Sequence, residues 1–285
     1  MNYRNTKWAE EVLSLQNDNG VWNHFHTLSI PNRKYPLSTE QALRRLYVLG
    51  YRIDDAPIEK AVSFMCDCLA GKKIMPDMRE KLLDWDIFTE LMLSTWIRKF
   101  TLEDKKANLI AEKWAEIVGS GFMNGSYDKE ASVKRYYKIY PNSPKGERLV
   151  NFLASFYQIS LIANILDDKT EQVYFDYVLN NDDGIGYLAN NAPLKNLPQD
   201  FKSKLASRYL AAMELLSKYN NVNCKNKILF VIHWLESQKD SNGQWDMGNA
   251  VTSLRGRRPW RTPSKEGLIH QITSHSRRGA ERARA

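Results

Sequence analysis

Several residue groups in this chain have the type and spacing to do chemistry. Asp167-Asp168-Lys169-Thr170-Glu171 places carboxylates at positions one, two and five, an oxygen-rich set of the kind that suits a hard ion such as Mg²⁺. The same residues read as a capping box, with Asp168 at the N-cap and Glu171 three residues later, ahead of an apolar helix containing Val173 and Tyr174. Capping is the stronger reading, because no second metal motif follows. His24-Phe25-His26 offers two imidazole nitrogens from an extended loop, but no third ligand is identifiable and loop hydrogen bonding explains the pair better. Cys66 and Cys68 point to different sides of a helix, while Cys224 sits in a polar link. Three cysteines are too few for a disulfide framework and read as reduced thiols. Eight Trp, 14 Tyr and 10 Phe could stabilise a carbocation through their ring faces, although aromatics at helical spacing chiefly pack helices together. No cofactor is identified, and Mg²⁺ at the Asp167 segment is the one ion with a motif to consider.

The elements that position these groups belong to an ordinary globular chain of 285 residues, 43% apolar and 26% charged. The longest uninterrupted apolar run, Ile228 to Ile232, is too short to span a bilayer, and the polar start Met1-Asn2-Tyr3-Arg4-Asn5 lacks a signal-peptide core. The expectation is a cytoplasmic protein with no transmembrane segment. The net charge of +8 divides unevenly: residues 1–250 carry 32 basic against 31 acidic side chains, whereas residues 251–285 carry nine against two. A neutral body argues against specific nucleic-acid binding, and the Arg-rich 251–285 reads as an irregular or disordered tail.

A repeat runs through residues 1–250. A turn of Asn or Asp with Gly, followed within three residues by an aromatic, recurs at Gly20-Val21-Trp22, Gly125-Ser126-Tyr127, Gly184-Ile185-Gly186-Tyr187 and Gly243-Gln244-Trp245. Gly71 stands near the midpoint of the first interval, so five units of 51 to 59 residues emerge. Apolar steps of three and four residues predict two helices per unit. The first helices include Trp8–Leu15, Ile58–Leu69, Leu109–Val118, Val173–Leu179 and Ile228–Leu235. The second helices contain Leu43 and Leu46, Leu91 and Thr95, Tyr157 and Ile162, and Tyr209 and Leu216. Hairpins of this size must stack to bury their apolar faces. The aromatic after each turn could pack over its own hairpin and send its N–H or O–H to exposed helix-end carbonyls.

The copies Leu13-Ser14-Leu15-Gln16-Asn17-Asp18-Asn19-Gly20-Val21-Trp22 and Trp234-Leu235-Glu236-Ser237-Gln238-Lys239-Asp240-Ser241-Asn242-Gly243-Gln244-Trp245 resemble the Gln-Trp repeats of triterpene cyclases and the related repeats of protein prenyltransferase β subunits. The resemblance implies an all-α fold, an α/α toroid of about five hairpins over residues 1–250, with closure left open because six hairpins commonly complete such a ring. It also implies that second helices face a cavity. Glu40, Trp85, Tyr157, Arg208 and Tyr209 would then bind substrate, with Arg208 the better interior arginine. In class II cyclases an Asp-x-Asp-Asp motif protonates an alkene. Asn180-Asn181-Asp182-Asp183 is the nearest segment here, making Asp182 a candidate acid with Asp84 and Asp86 as competitors. Asp183-Gly184 is also explained as a turn, and Asp84 or Asp86 as a helix cap. The prenyltransferase zinc site is not recognisable. The resemblance implies an isoprenoid-acting enzyme, cyclase-like or prenyltransferase-like, with degraded motifs; the alternative is a noncatalytic helical-repeat scaffold binding a peptide or apolar ligand.

Overall fold

The computed structural model describes residues 3–26, 37–190 and 192–246; the expected tail 251–285 lies outside them. Helix makes up 56% and strand 2% of the described residues, the all-α class that the periodicity predicts. Two compact units divide within one long helix, the first ending at Ile110 and the second beginning at Ala111. Among the described residues no helix is long and apolar enough to cross a membrane.

The first unit contains α1 (Lys7–Leu13), α2 (Thr39–Val48), α3 (Ala56–Leu69), α4 (Trp85–Phe100) and the start of α5 (Lys105–Phe122). Local signals mark the starts of α2 and α3. Ser38 and Gln41 form a reciprocal capping box at α2, and Pro57 occupies the first turn of α3, where its missing N–H costs nothing. Helix α1 packs on α2 and α3 on α4, burying Val12, Leu43, Leu46, Met65, Leu91 and Trp96. A polar clamp also ties the chain across long sequence separation: the Asp77 carboxylate accepts the backbone N–H groups of Phe25 at 2.5 Å and His26 at 2.7 Å.

The second unit continues α5 and adds α6 (Lys129–Ile139), α7 (Gly146–Val150), α8 (Phe156–Ile162) and α9 (Asp168–Asn180). A two-stranded hairpin follows, β1 (Gly184–Ile185) with β2 (Ala189–Asn190), and then α10 (Lys204–Leu216), α11 (Val222–Lys227) and α12 (Leu229–Ser237). Tyrosine hydroxyls stitch these elements by donating to buried carbonyls, Tyr174 to Leu153 at 2.7 Å and Tyr219 to Ile159 at 2.9 Å.

All nine helices expected from the apolar steps are present as α1–α5, α8–α10 and α12. Helices α6, α7 and α11 interrupt the simple hairpin order. In α6 only Ser132 and Tyr136 are buried, too thin an apolar stripe to reveal it by periodicity.

The two terminal turns share one geometry. Trp22 Nε1 donates to Val12 O at 2.7 Å and Trp245 Nε1 to Leu235 O at 2.7 Å, each from ten residues later. Asn17 and Asp240 play matching parts, each accepting from the second and fourth backbone N–H groups that follow it. Gly20 and Gly243 hold φ of 86° and 73°. The inner turns differ. Tyr127 stacks on Phe122 at 5.0 Å between ring centres, whereas Tyr187 lies 5.2 Å from Tyr157 and has its own positive φ of 65°. The β-hairpin redirects the chain at Tyr187, so the expectation of four equivalent aromatic plugs holds for the two tryptophans and not for the two tyrosines.

A Cβ on Gly20 would lie 2.8 Å from the Lys60 carbonyl carbon, while one on Gly243 would meet nothing within 4 Å. Both substitutions place an L-residue at positive φ, costing about 1–2 kcal/mol, and only Gly20→Ala adds a backbone clash worth about 1–3 kcal/mol more. Urea unfolding should therefore show Gly20→Ala as clearly the more destabilised variant.

Candidate functional site

In the first unit, the four candidate residues sit in separate local roles. Asp84 is the N-cap residue of α4 but makes no side-chain cap bond. Asp86 is exposed and pairs with Arg79 at 2.9 Å, an ion pair of little energetic weight. Trp85 is buried and its ring packs 5.8 Å from that of Phe88. Glu40, 4% exposed, accepts the Trp96 indole N–H at 2.8 Å, which uses one carboxylate oxygen to satisfy a buried donor.

The second unit treats its candidates differently. Asp182 is exposed in the link after α9. Tyr157 is buried on α8 against Phe156 and Tyr187. Arg208 is exposed rather than interior, a correction that follows from its place one step off the stripe Tyr209, Ala212, Met213 and Leu216, which is the side of α10 that is buried. The Asp167 segment caps α9, but the N-cap is Asp167 and not Asp168: the Asp167 side chain accepts from Thr170 N at 3.0 Å. Hydrogen bonds from Thr170 accordingly hold the Asp167 carboxyl below its usual range. Glu171 is buried and accepts from Asn164 N at 3.0 Å, and burial pushes its carboxyl up. Among the described residues no group of three or more His, Cys, Asp or Glu could hold a metal ion.

The thiols are also poorly placed for nucleophilic work. Burial and the neighbouring Asp104 push Cys66 up to about 12, and burial pushes Cys68 up to about 11 and Cys224 up to about 12. Such thiols carry little of the reactive thiolate at neutral pH.

A pocket of about 390 Å³ opens instead between α10 and the loop that leads into it. Its apolar wall comprises Pro193, Leu194, Leu197 and Pro198 from the loop with Leu205 and Tyr209 from α10. Prolines five residues apart hold the loop off the helical pattern, which leaves Leu197 and Leu205 with 38% and 47% of their surface exposed at its rim. Behind this wall Tyr209 packs edge-on to Trp234 at 5.7 Å, and Phe201 does so at 5.3 Å.

Tyr209 is the candidate that the pocket recruits. It is 4% exposed, and its hydroxyl is sealed from solvent without a hydrogen-bond partner among the described residues; burial pushes its ionisation up. A buried hydroxyl left unpaired costs about 1–3 kcal/mol, and Tyr209 bears that cost at an atom that solvent does not reach and no described residue satisfies. Helical spacing does not reveal the loop residues. Their signal is a pair of leucines inside a proline-bracketed segment with no periodicity.

No family model, curated protein or solved structure matches the chain.

The unsatisfied hydroxyl separates Tyr209 from its buried counterparts. Tyr209→Phe should leave thermal stability unchanged or raise it by up to about 1 kcal/mol, whereas Tyr174→Phe and Tyr219→Phe, which abandon carbonyl acceptors, should each cost about 1 kcal/mol or more. Parallel thermal melts of the three variants check the ordering.

Proposed function

We propose that this chain is a noncatalytic helical-repeat binding protein whose second unit takes a small apolar molecule in the pocket beside α10. The observation that carries this reading is the open pocket itself, walled by Pro193, Leu194, Leu197, Pro198, Leu205 and Tyr209. Small-molecule sites are concave, mostly apolar and supplied with a few polar groups that fix orientation. A volume of about 390 Å³ stands at the small end of such sites, roughly 300–1,000 Å³, and suits a compact molecule better than a peptide.

The paired tryptophan turns support kinship with the toroid-forming repeat families at the level of the hairpin. The isoprenoid-acting enzyme reading draws less support from the site. Its acid must face an apolar cavity to retain a transferable proton, whereas Asp86 and Asp182 are exposed and Asp84 stands at a helix start.

Titration with the neutral fluorophore N-phenyl-1-naphthylamine tests the binding reading. Saturable fluorescence enhancement is expected, and the double variant Leu197→Glu/Leu205→Glu should weaken it about tenfold or more by removing apolar contact at two rim positions. Since both leucines are partly exposed, the variant should fold. Absence of saturable binding, or binding indifferent to the rim change, would overturn the proposal. Incubation with prenyl diphosphates, with and without Mg²⁺, should yield no product by mass spectrometry, and turnover would restore the enzyme reading.

A further inference from the structure

We infer that the link between α3 and α4 docks the first unit on the surface of an anionic phospholipid bilayer. Ile74, Met78 and Leu82 enter the interface, and the basic side chains beside them meet the headgroups. This contact does not depend on the pocket of the second unit.

Exposure is the first observation. Ile74, Met78 and Leu82 keep 93%, 87% and 62% of their surface exposed. Single exposed apolar residues are ordinary on a protein, but these three stand close together in one link. Almost nothing of the protein covers the first two, so they project from it rather than line a groove.

The link is nevertheless held. Lys72 N donates to Asp67 O at 2.8 Å where α3 ends, Met75 is buried, and the Asp77 carboxylate clamps the Phe25 and His26 amides. Ile74 and Met78 flank these two inward anchors in sequence. Folding either tip back onto the core would therefore release Met75 or the clamp. A backbone already fixed in this way has little ordering entropy left to lose on docking.

Charge identifies what covers the tips. Each has a basic neighbour: Lys73 precedes Ile74, Arg79 follows Met78 and Lys81 precedes Leu82. With Lys72, residues 72–82 hold four basic side chains against Asp77 and Glu80, and Asp77 is engaged by the amides it clamps. Lys72 and Lys73 pair with Asp67, and Arg79 with Asp86, in solvent-accessible pairs of little weight that can exchange for headgroup phosphates. Lysine is depleted at protein–protein interfaces. At a bilayer its apolar stem follows the tips inward while its ammonium stays among anionic headgroups. A bilayer also yields around a projecting side chain, where a protein partner must supply a fitted pocket.

Co-sedimentation of the full chain with vesicles of phosphatidylcholine, alone or mixed with phosphatidylserine, tests the inference. Partitioning to the mixed vesicles is expected, about fivefold or more above that to phosphatidylcholine alone. The Arg-rich 251–285 would also attract anionic lipid, so variants of the link carry the discrimination. Ile74→Ser/Met78→Ser keeps every charge and should weaken partitioning about tenfold or more by removing two apolar tips. Lys73→Gln/Arg79→Gln should weaken binding to the mixed vesicles about fivefold. Both tips are exposed, so the thermal melt of the serine variant should match that of wild type. If the serine variant pellets as wild type does, attachment runs through 251–285 and the inference is overturned. Absence of pelleting with either vesicle also overturns it. Self-association in sedimentation velocity that the serine variant abolishes, without vesicle binding, would assign the tips to a second copy of the chain instead.

Discussion

The repeat depends on an indole N–H closing the end of a helix. The last carbonyls of a helix have no partner within it, and a tryptophan ring is otherwise apolar with a single donor. At Val12 and again at Leu235 the carbonyl takes the indole at 2.7 Å beside one backbone N–H, from Leu15 at 3.2 Å and Gln238 at 3.1 Å, so the ring's donor and the carbonyl's remaining capacity meet in one place. An Asn or Asp then folds the intervening residues by accepting two backbone N–H groups, and a glycine at positive φ reverses the chain. Ring, side-chain acceptor and glycine are required together, because the ring reaches the carbonyl only if the turn closes.

That interdependence explains why the helices were legible in the sequence and the site was not. Turn glycines and three- and four-residue apolar steps are local, so α1 to α5, α8 to α10 and α12 could be read directly. Helix α6 escaped because Tyr136 and Ser132 alone reach the interior. The cap of α9 was displaced by one residue, since adjacent aspartates are equivalent in a motif while only Asp167 reaches Thr170 N. Arg208 was assigned to the interior from its nearness to an apolar stripe, but one residue along a helix rotates a side chain by about 100°, enough to carry it into solvent.

The pocket was illegible for another reason. Tyr209 was visible as a candidate because it belongs to a periodic stripe, whereas Leu194 and Leu197 stand in a loop and acquire meaning only when that loop packs on α10. A missing hydrogen bond is likewise invisible in a sequence. Tyr174, Tyr209 and Tyr219 are the same residue type at comparable burial, and the acceptors at Leu153 and Ile159 distinguish two of them from the third.

The clamp at Asp77 gives the first unit an internal gauge of its own breathing. Two consecutive amides, those of Phe25 and His26, are held by one carboxylate about fifty positions along the chain. Neither amide relies on a neighbouring helical carbonyl for this contact, so their exchange with solvent deuterium would register the lifting of the 72–84 segment rather than the fraying of any helix. Isotope uptake at these two sites would rise and fall as one, separating a distant detachment from local unfolding.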